Sequence, residues 1–325
     1  MIKKINILKI FLITLISISI LVINKSIFFD IINRVGMNGI LVLSMIPSIC
    51  CGIGLNFGIS IGILCGLLST VISIELNLYH INGFIFSILF SIILSIITGI
   101  VYGKILNLFK DNEMTVSTYI GFASTSLMSI FWIIIPFKSP DMILTIGGKG
   151  LRNTISLENS FGNIFNTYQN IIFFLLICLI FNIFFNTKTG IAMKTVGINP
   201  KYAINCGINP NKYRILGTIL SNILSAIGII IYSANYGYIQ LYQSPLMMPF
   251  PIVASILLGG ASIKKASISN AIIGVFIFQT LITISTPLIN IVLKDSSLSD
   301  SIRMSLSYGI ILFNFVKQGG KIKND

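Results

Sequence analysis

The sequence predicts an all-α integral membrane protein with about ten transmembrane helices, including short broken helices, and with both termini in the cytoplasm. Apolar residues make up 54% of the 325 residues and charged residues only 10%. The mean hydropathy is +0.94, a value typical of membrane proteins rather than of soluble domains. Several apolar runs reach the roughly 20 residues that cross about 30 Å of hydrocarbon as a helix. We therefore expect residues 1–325 to form one transmembrane domain.

Ten apolar segments can be placed along the chain. In order, they cover residues 5–29, 37–51, 53–74, 83–106, 114–137, 171–185, 213–236, 248–262, 266–291 and 301–316. The first is too long for the apolar core of a signal peptide and lacks a small-residue cleavage pattern, so we expect an uncleaved anchor. The second and eighth are short and rich in Gly or Pro, which is typical of interrupted helices that line a cavity.

The distribution of basic residues indicates the orientation. With the N-terminus inside, fifteen of the 22 Lys and Arg residues fall in inside connections and seven in outside ones, as the positive-inside rule expects. The net charge of +13 thus belongs to loops between spans, which argues against a nucleic-acid-binding protein. We expect a multi-pass protein of a prokaryotic plasma membrane. Its longest extracytoplasmic connection, residues 137–169, is long enough to be functional.

The predicted spans contain little reactive chemistry. Every Asp and Glu falls in a loop or at the boundary of a predicted span, and the single histidine, His80, lies at an outer edge. Ion-coupled transporters generally keep an ionisable group within the membrane. The chain also has no nucleotide-binding G-x-x-x-x-G-K-[ST] motif, no H-E-x-x-H, no G-x-S-x-G and no C-x-x-C pair. We expect no enzymatic activity and no cofactor or metal bound by this chain.

Neutral polar and aromatic residues in the spans are candidates for a solute pathway. Asn56 and Phe57 lie in a glycine-rich stretch, and Tyr232 and Asn235 lie near the outer end of the seventh span. Uncharged donors and aromatic faces suit a small polar, uncharged ligand. The alternative is structural, because Asn and Ser often hydrogen-bond between membrane helices, and Tyr gathers at membrane interfaces.

A basic island, residues 188–214, carries five positive charges and no acid. Its two Asn-Pro pairs, at residues 199–200 and 209–210, combine a good helix N-cap with the favoured first helical residue. Gly207 suits the left-handed conformation that ends a helix. The pattern predicts a two-turn helix over residues 200–206 and a second helix from Pro210. So short a helix needs a packing partner, which indicates a docking element on the cytoplasmic side.

The basic island resembles the cytoplasmic loop of a known permease family. The shared pattern is Val196-Gly197-x-Asn199-Pro200-x-x-Ala203-x-x-x-Gly207-Ile208. It is similar to the permeases of ABC importers that serve simple sugars, nucleosides and branched-chain amino acids. The glycine pair of that family is matched by Leu257-Leu258-Gly259-Gly260-Ala261-Ser262. The resemblance covers about residues 37–316.

The resemblance implies a set of partners. Residues 200–206 would be the coupling helix that docks into a groove on a separate cytoplasmic ABC ATPase, which supplies ATP hydrolysis with Mg²⁺. Tyr202, Ala203 and Cys206 would share one face of that helix. The residues implied in coupling are Gly197, Asn199, Pro200, Tyr202, Ala203, Cys206, Gly207 and Ile208. Attraction of the basic rim to anionic lipid headgroups is the alternative.

The same family assembles as a dimer of permease subunits, identical or paralogous. An extracytoplasmic solute-binding protein or lipoprotein would deliver the solute, with Lys149 and Arg152 as candidate docking residues. Gly259 and Gly260 join the pathway candidates.

The expected function is translocation of a small neutral polar solute by alternating access, driven by the separate ATPase. A simple sugar is the first expectation, a nucleoside the second and a branched-chain amino acid the third. Two departures bear on this order: Asn56-Phe57 is neutral where sugar members commonly carry an acid, and Lys264-Lys265 stands where they continue into glycine. The alternative is a secondary transporter or passive facilitator for a neutral solute.

Overall fold

The computed structural model describes residues 25–139, 142–143, 150–158, 160–162, 167–293, 304–305 and 307–313. Helices dominate this part of the chain. They are α1 (Lys25–Leu43), α2 (Met45–Cys50), a 3-10 turn (Phe57–Ile59), α3 (Ser60–Glu75), α4 (His80–Leu108), α5 (Glu113–Ile134), α6 (Thr167–Phe185), α7 (Lys188–Ile198), α8 (Pro200–Asn205), α9 (Pro210–Tyr236), α10 (Gln243–Met247), α11 (Pro249–Leu258) and α12 (Ile268–Leu293). Two short strands, β1 (Thr154–Ser156) and β2 (Tyr238–Gln240), pair antiparallel.

Six helical segments of the described chain are long and apolar enough to cross a membrane. They are Ile27–Cys50, Phe57–Glu75, His80–Leu108, Glu113–Ile134, Tyr168–Phe185 and Pro210–Tyr236. Gln243–Leu258 and Ile268–Ile284 are shorter apolar helices. The all-α membrane architecture is therefore confirmed. Most of the first predicted span lies outside the described residues and the tenth is described only in part, so the total of ten stays a prediction, as does the orientation.

The predicted N-terminal boundary of the second span is wrong. The prediction starts that span at residue 37 and makes it short, whereas α1 and α2 together form a 24-residue candidate span from Ile27. Asp30 and Arg34, assigned by the sequence to an outside connection, lie within α1. The helix tolerates them because Asp30 is exposed and Arg34 is partly exposed, whereas the neighbouring Ile31 and Val35 are buried.

Helix α9 lies at the centre of the packing, against α1, α3 and α4. Glycines allow this close approach. A Cβ at Gly62 of α3 would lie 1.9 Å from the Ser225 hydroxyl of α9, and one at Gly99 of α4 would lie 2.8 Å from the Cα of Ile219. Small residues at such crossings bring helix backbones into van der Waals contact, which is how membrane helices associate without a hydrophobic driving force.

The connections gather at the two ends of α9. At its Tyr236 end, which we call the sheet end, β1 pairs with β2. At its Pro210 end, which we call the island end, the connection between α4 and α5 and the turn after α11 surround the basic island. The connections predicted to be cytoplasmic thus meet at the island end.

The start of the long predicted extracytoplasmic connection is fixed to the end of α3. The Glu75 carboxylate accepts hydrogen bonds from the backbone N–H of Lys138 at 2.9 Å and of Ser139 at 3.2 Å. Further along, β1 belongs to the same connection and pairs with β2 beyond α9. The connections predicted to lie outside therefore contact one another at the sheet end, and the connections predicted to be cytoplasmic lie separately at the island end.

Candidate functional site

The basic island folds locally as its sequence predicts. The Asn199 side chain accepts a hydrogen bond from the Tyr202 N–H at 3.1 Å, and the Asn209 side chain accepts one from the Asn211 N–H at 3.1 Å. Gly207 between them has a φ of 74°. The predicted short helix, its stop and the restart at Pro210 are confirmed. The helix ends one residue earlier than predicted, at Asn205, and α7 precedes it where the sequence indicated only a loop.

The predicted docking face of α8 is wrong at one position. Ala203 has 0% exposure, whereas Tyr202 is 58% exposed and Cys206 is also exposed. The physical reason is that α8 packs against α7 and α9, and the small Ala203 side chain occupies that contact. The hydrogen bond with the Cys206 thiol raises the pKa of the Tyr202 hydroxyl.

Two isoleucines that the sequence reasoning missed are exposed on the basic island. Ile198 and Ile204 are 63% and 59% exposed, and Tyr202 is 58% exposed. Ile204 is the one large aliphatic residue of α8, which was the available signal. Exposed Lys201 and Lys212 flank them. We call Ile198, Tyr202 and Ile204, with these two lysines, the island face.

The inner side of the basic island is fixed to a broken span through Gly197. A Cβ on Gly197 would lie 2.3 Å from the Cys50 carbonyl oxygen and 3.1 Å from the Gly52 nitrogen. The helical conformation is interrupted there, because Gly52 and Gly54 follow α2 with φ values of 84° and 85°. The end of α7 therefore packs backbone to backbone against the interruption between α2 and α3.

A cleft of about 630 Å³ opens at the island end. It is lined by the break after α2, the connection from α4 to α5, and the ends of α7 and α8. At its wall the Glu113 carboxylate forms an ion pair with the Arg214 guanidinium, and both side chains are almost fully buried. This pair connects the first residue of α5 to the first turns of α9. The Arg214 Nε has no hydrogen-bond partner among the described residues.

A second cavity, of about 320 Å³, lies at the sheet end among α1, α9, α10, α11 and α12. Tyr232 and Tyr236 of α9 form one wall, with ring centroids 4.6 Å apart. The Arg34 Nη1 of α1 donates a hydrogen bond to the Tyr236 hydroxyl at 3.4 Å. Gln279 of α12 and Ser244 of α10 also line it. We call this cavity the tyrosine pocket.

Asn56 and Phe57, predicted to line the pathway, make packing and capping contacts within the broken span. The Asn56 Oδ1 is fully buried and accepts hydrogen bonds from the Gly58 N–H at 3.0 Å and from the Tyr102 hydroxyl at 2.5 Å. It thereby caps the 3-10 turn that starts at Phe57. The Phe57 ring packs against that of Phe250, with centroids 5.7 Å apart. Neither residue lines the tyrosine pocket.

Gly259 and Gly260 have a structural role at the turn between α11 and α12. A Cβ on Gly259 would lie 1.8 Å from the Asn270 carbonyl oxygen, and Gly260 has a φ of 90°. The Asn270 side-chain amide donates a hydrogen bond to the Gly259 carbonyl at 2.7 Å. Both glycines are needed for the close turn, so they position the two helices.

The remaining predicted residues lie near the sheet end or outside the described residues. Asn235 accepts a hydrogen bond from Asn33 at 3.2 Å, and Asn33 accepts one from Asn170 at 2.7 Å. The Arg152 Nε donates to the Ile143 carbonyl at 2.8 Å, which fixes it within its own connection. Lys149 lies outside the described residues. Of the six predicted pathway residues, only Tyr232 lines the tyrosine pocket.

Within the described part of the chain, no three His, Cys, Asp or Glu side chains are grouped so that they could hold a metal ion.

Comparison with curated proteins and with solved structures gave no match. The family described as branched-chain amino acid transport system / permease component matches residues 27–314. That range covers most of the chain and includes the basic island and the tyrosine pocket. The chain therefore belongs to this family of ABC transporter permeases, as the motif of the basic island predicted.

Proposed function

We propose that this chain is the transmembrane permease subunit of an ABC importer and that the island face docks on a separate ATPase. The island face carries the proposal. Three large apolar side chains stand exposed on a well-capped element, flanked by lysines. An exposed apolar patch with a polar rim is typical of a protein interface. Its positive charge suits an acidic surface on the partner.

The contacts behind the island face support transmission of force. Gly197 packs against the backbone of Cys50 and Gly52, and the ion pair between Glu113 and Arg214 connects α5 to α9. Since interfaces and packed cores shift between discrete arrangements rather than deform continuously, movement of α8 is expected to reach the broken span and both helices. This is the step that alternating access requires from ATP hydrolysis.

Ile204→Asp tests the docking. We expect the variant to lose co-purification with the ATPase while it inserts into the membrane and elutes as a single species. Leu76→Asp is a matched control, because Leu76 is 55% exposed at the sheet end. Ala203 is unsuitable for this test because it is buried. Complex formation by Ile204→Asp at the level of the control would contradict the assignment.

For the solute we propose a small neutral polar molecule, a simple sugar first and a nucleoside second, delivered by an extracytoplasmic binding protein to a dimer of permease subunits. Uptake of labelled ribose and uridine into reconstituted vesicles, with and without ATP and the binding protein, tests this. ATP-dependent uptake is expected. Equal uptake without ATP would instead support a passive facilitator.

A branched-chain amino acid is the third candidate, and the family description names that substrate class. Arg34 also places a guanidinium at the tyrosine pocket, and guanidinium groups bind carboxylates well. Uptake of labelled leucine under the same conditions, with ribose and uridine as competitors, separates this candidate from the first.

A further inference from the structure

Gln279 has an unusual environment for a side chain within an apolar helix. It is only 6% exposed, and it lines the tyrosine pocket from α12. Because the side chain borders this cavity, its amide can donate and accept hydrogen bonds with a ligand or water in the pocket.

The charges around the pocket select against a cationic solute. Arg34 is the single charged side chain among the described residues that line it, and no described carboxylate pairs with Arg34. The carboxylate of an amino acid could pair with Arg34, but its ammonium group would find no counter-charge among the described residues of the pocket wall. Hydroxyl and carbonyl oxygens of a neutral solute can instead accept hydrogen bonds from Arg34 and Gln279.

The shape of the pocket favours a small ring. Its volume of about 320 Å³ is at the lower end of the range for small-molecule sites. The rings of Tyr232 and Tyr236 form an amphipathic wall, with apolar faces and hydroxyl tips. A compact ring with hydroxyl groups on its edge can place its apolar face on such a wall while its hydroxyls reach the polar side chains.

We propose that the tyrosine pocket is a solute site and that Gln279 determines its specificity, accepting neutral hydroxyl-bearing rings and rejecting solutes with an ammonium group. This inference rests on the proposed function, since it names the chemistry of the transported solute. It also separates this chain from the amino acid substrates named in the family description.

Protection of an introduced cysteine tests the site without ATPase or binding protein. Ser244 is 5% exposed and lines the pocket, so Ser244→Cys is a nearly isosteric reporter. Cys206 is the exposed cysteine of the described chain and is first replaced by Ser, while Cys50, Cys51, Cys65 and Cys178 are buried. The full-length chain in membrane vesicles is treated with a charged thiol reagent in the presence of ribose, uridine or leucine.

We expect ribose or uridine, but not leucine, to slow the labelling of Ser244→Cys. Adding Gln279→Leu, which keeps the side-chain size, should raise the concentration needed for half-protection about tenfold, whereas Gln279→Asn should recover part of the loss. Lys138→Cys, exposed at the sheet end outside the pocket, should be labelled without protection. Size-exclusion elution of each variant checks that it folds.

Three results would overturn the inference: protection by leucine, no protection by either ring solute, or no labelling of Ser244→Cys at all. An unchanged half-protection concentration in Gln279→Leu would remove Gln279 from the site. None of these depends on the ATPase, so the docking result for Ile204→Asp stands or fails independently.

Discussion

Gly197→Ala probes the contact that connects the basic island to the broken span. The added Cβ would lie 2.3 Å from the Cys50 carbonyl oxygen, whereas real Cβ contacts stay beyond 3.0 Å, so the two backbones must separate by about 0.7 Å. The two atoms nearest to the added Cβ are the carbonyl oxygen and carbonyl carbon of Cys50. Because both are backbone atoms, no flexible side chain can move aside. Overpacking of this kind typically costs about 1–3 kcal/mol.

We expect Gly197→Ala to lower the midpoint of thermal unfolding, measured by size-exclusion chromatography after heating. We also expect it to reduce ATP-dependent uptake while co-purification with the ATPase persists. Gly309→Ala is the matched control, because nothing lies within 4 Å of its added Cβ and its backbone is helical. That control should leave stability unchanged or raise it by up to about 1 kcal/mol. If Gly197→Ala behaved like Gly309→Ala, the end of α7 would not be fixed to the break after α2.

Three further substitutions test the structure at the island end. Glu113→Gln leaves the buried Arg214 guanidinium unpaired and should destabilise the protein by about 3–5 kcal/mol, measured by denaturant titration; the double variant with Arg214→Met should recover most of that loss, and no recovery would contradict the pairing. Asn199→Ala removes the N-cap of α8, at a cost of about 1 kcal/mol, and should accelerate hydrogen exchange at the Tyr202 amide; unchanged exchange would exclude the cap. Gly259→Ala places a Cβ 1.8 Å from a backbone oxygen and should abolish monodisperse elution, whereas normal elution would show that the turn after α11 can open.

Local chemistry was readable from the sequence. The Asn-Pro pairs and Gly207 define α8 and the start of α9 through contacts within a few residues of each other. The face that α8 presents was not readable, because it depends on where α7 and α9 lie. Ala203 therefore looked like a docking residue and is instead buried, while Ile204 was missed.

The same distinction explains the rest of the site. Arg34 interrupts the hydropathy of α1, so the sequence placed it in a loop, although the helix carries it to the tyrosine pocket. Gln279 is one polar residue in an apolar run and carries no pattern of its own. Asn56 is polar and lies next to glycines, which indicated a pathway; its role as a cap and its contact with Tyr102 could not be read from that spacing. Residues that act through distant partners could not be assigned from spacing.

The amide chain from Asn170 through Asn33 to Asn235 joins α6, α1 and α9 near the sheet end. Hydrogen bonds between membrane helices contribute only about 0.6 kcal/mol each on average, which is close to thermal energy. Two such bonds align three helices without holding them strongly. A small free-energy change is therefore enough to release this contact between the helices.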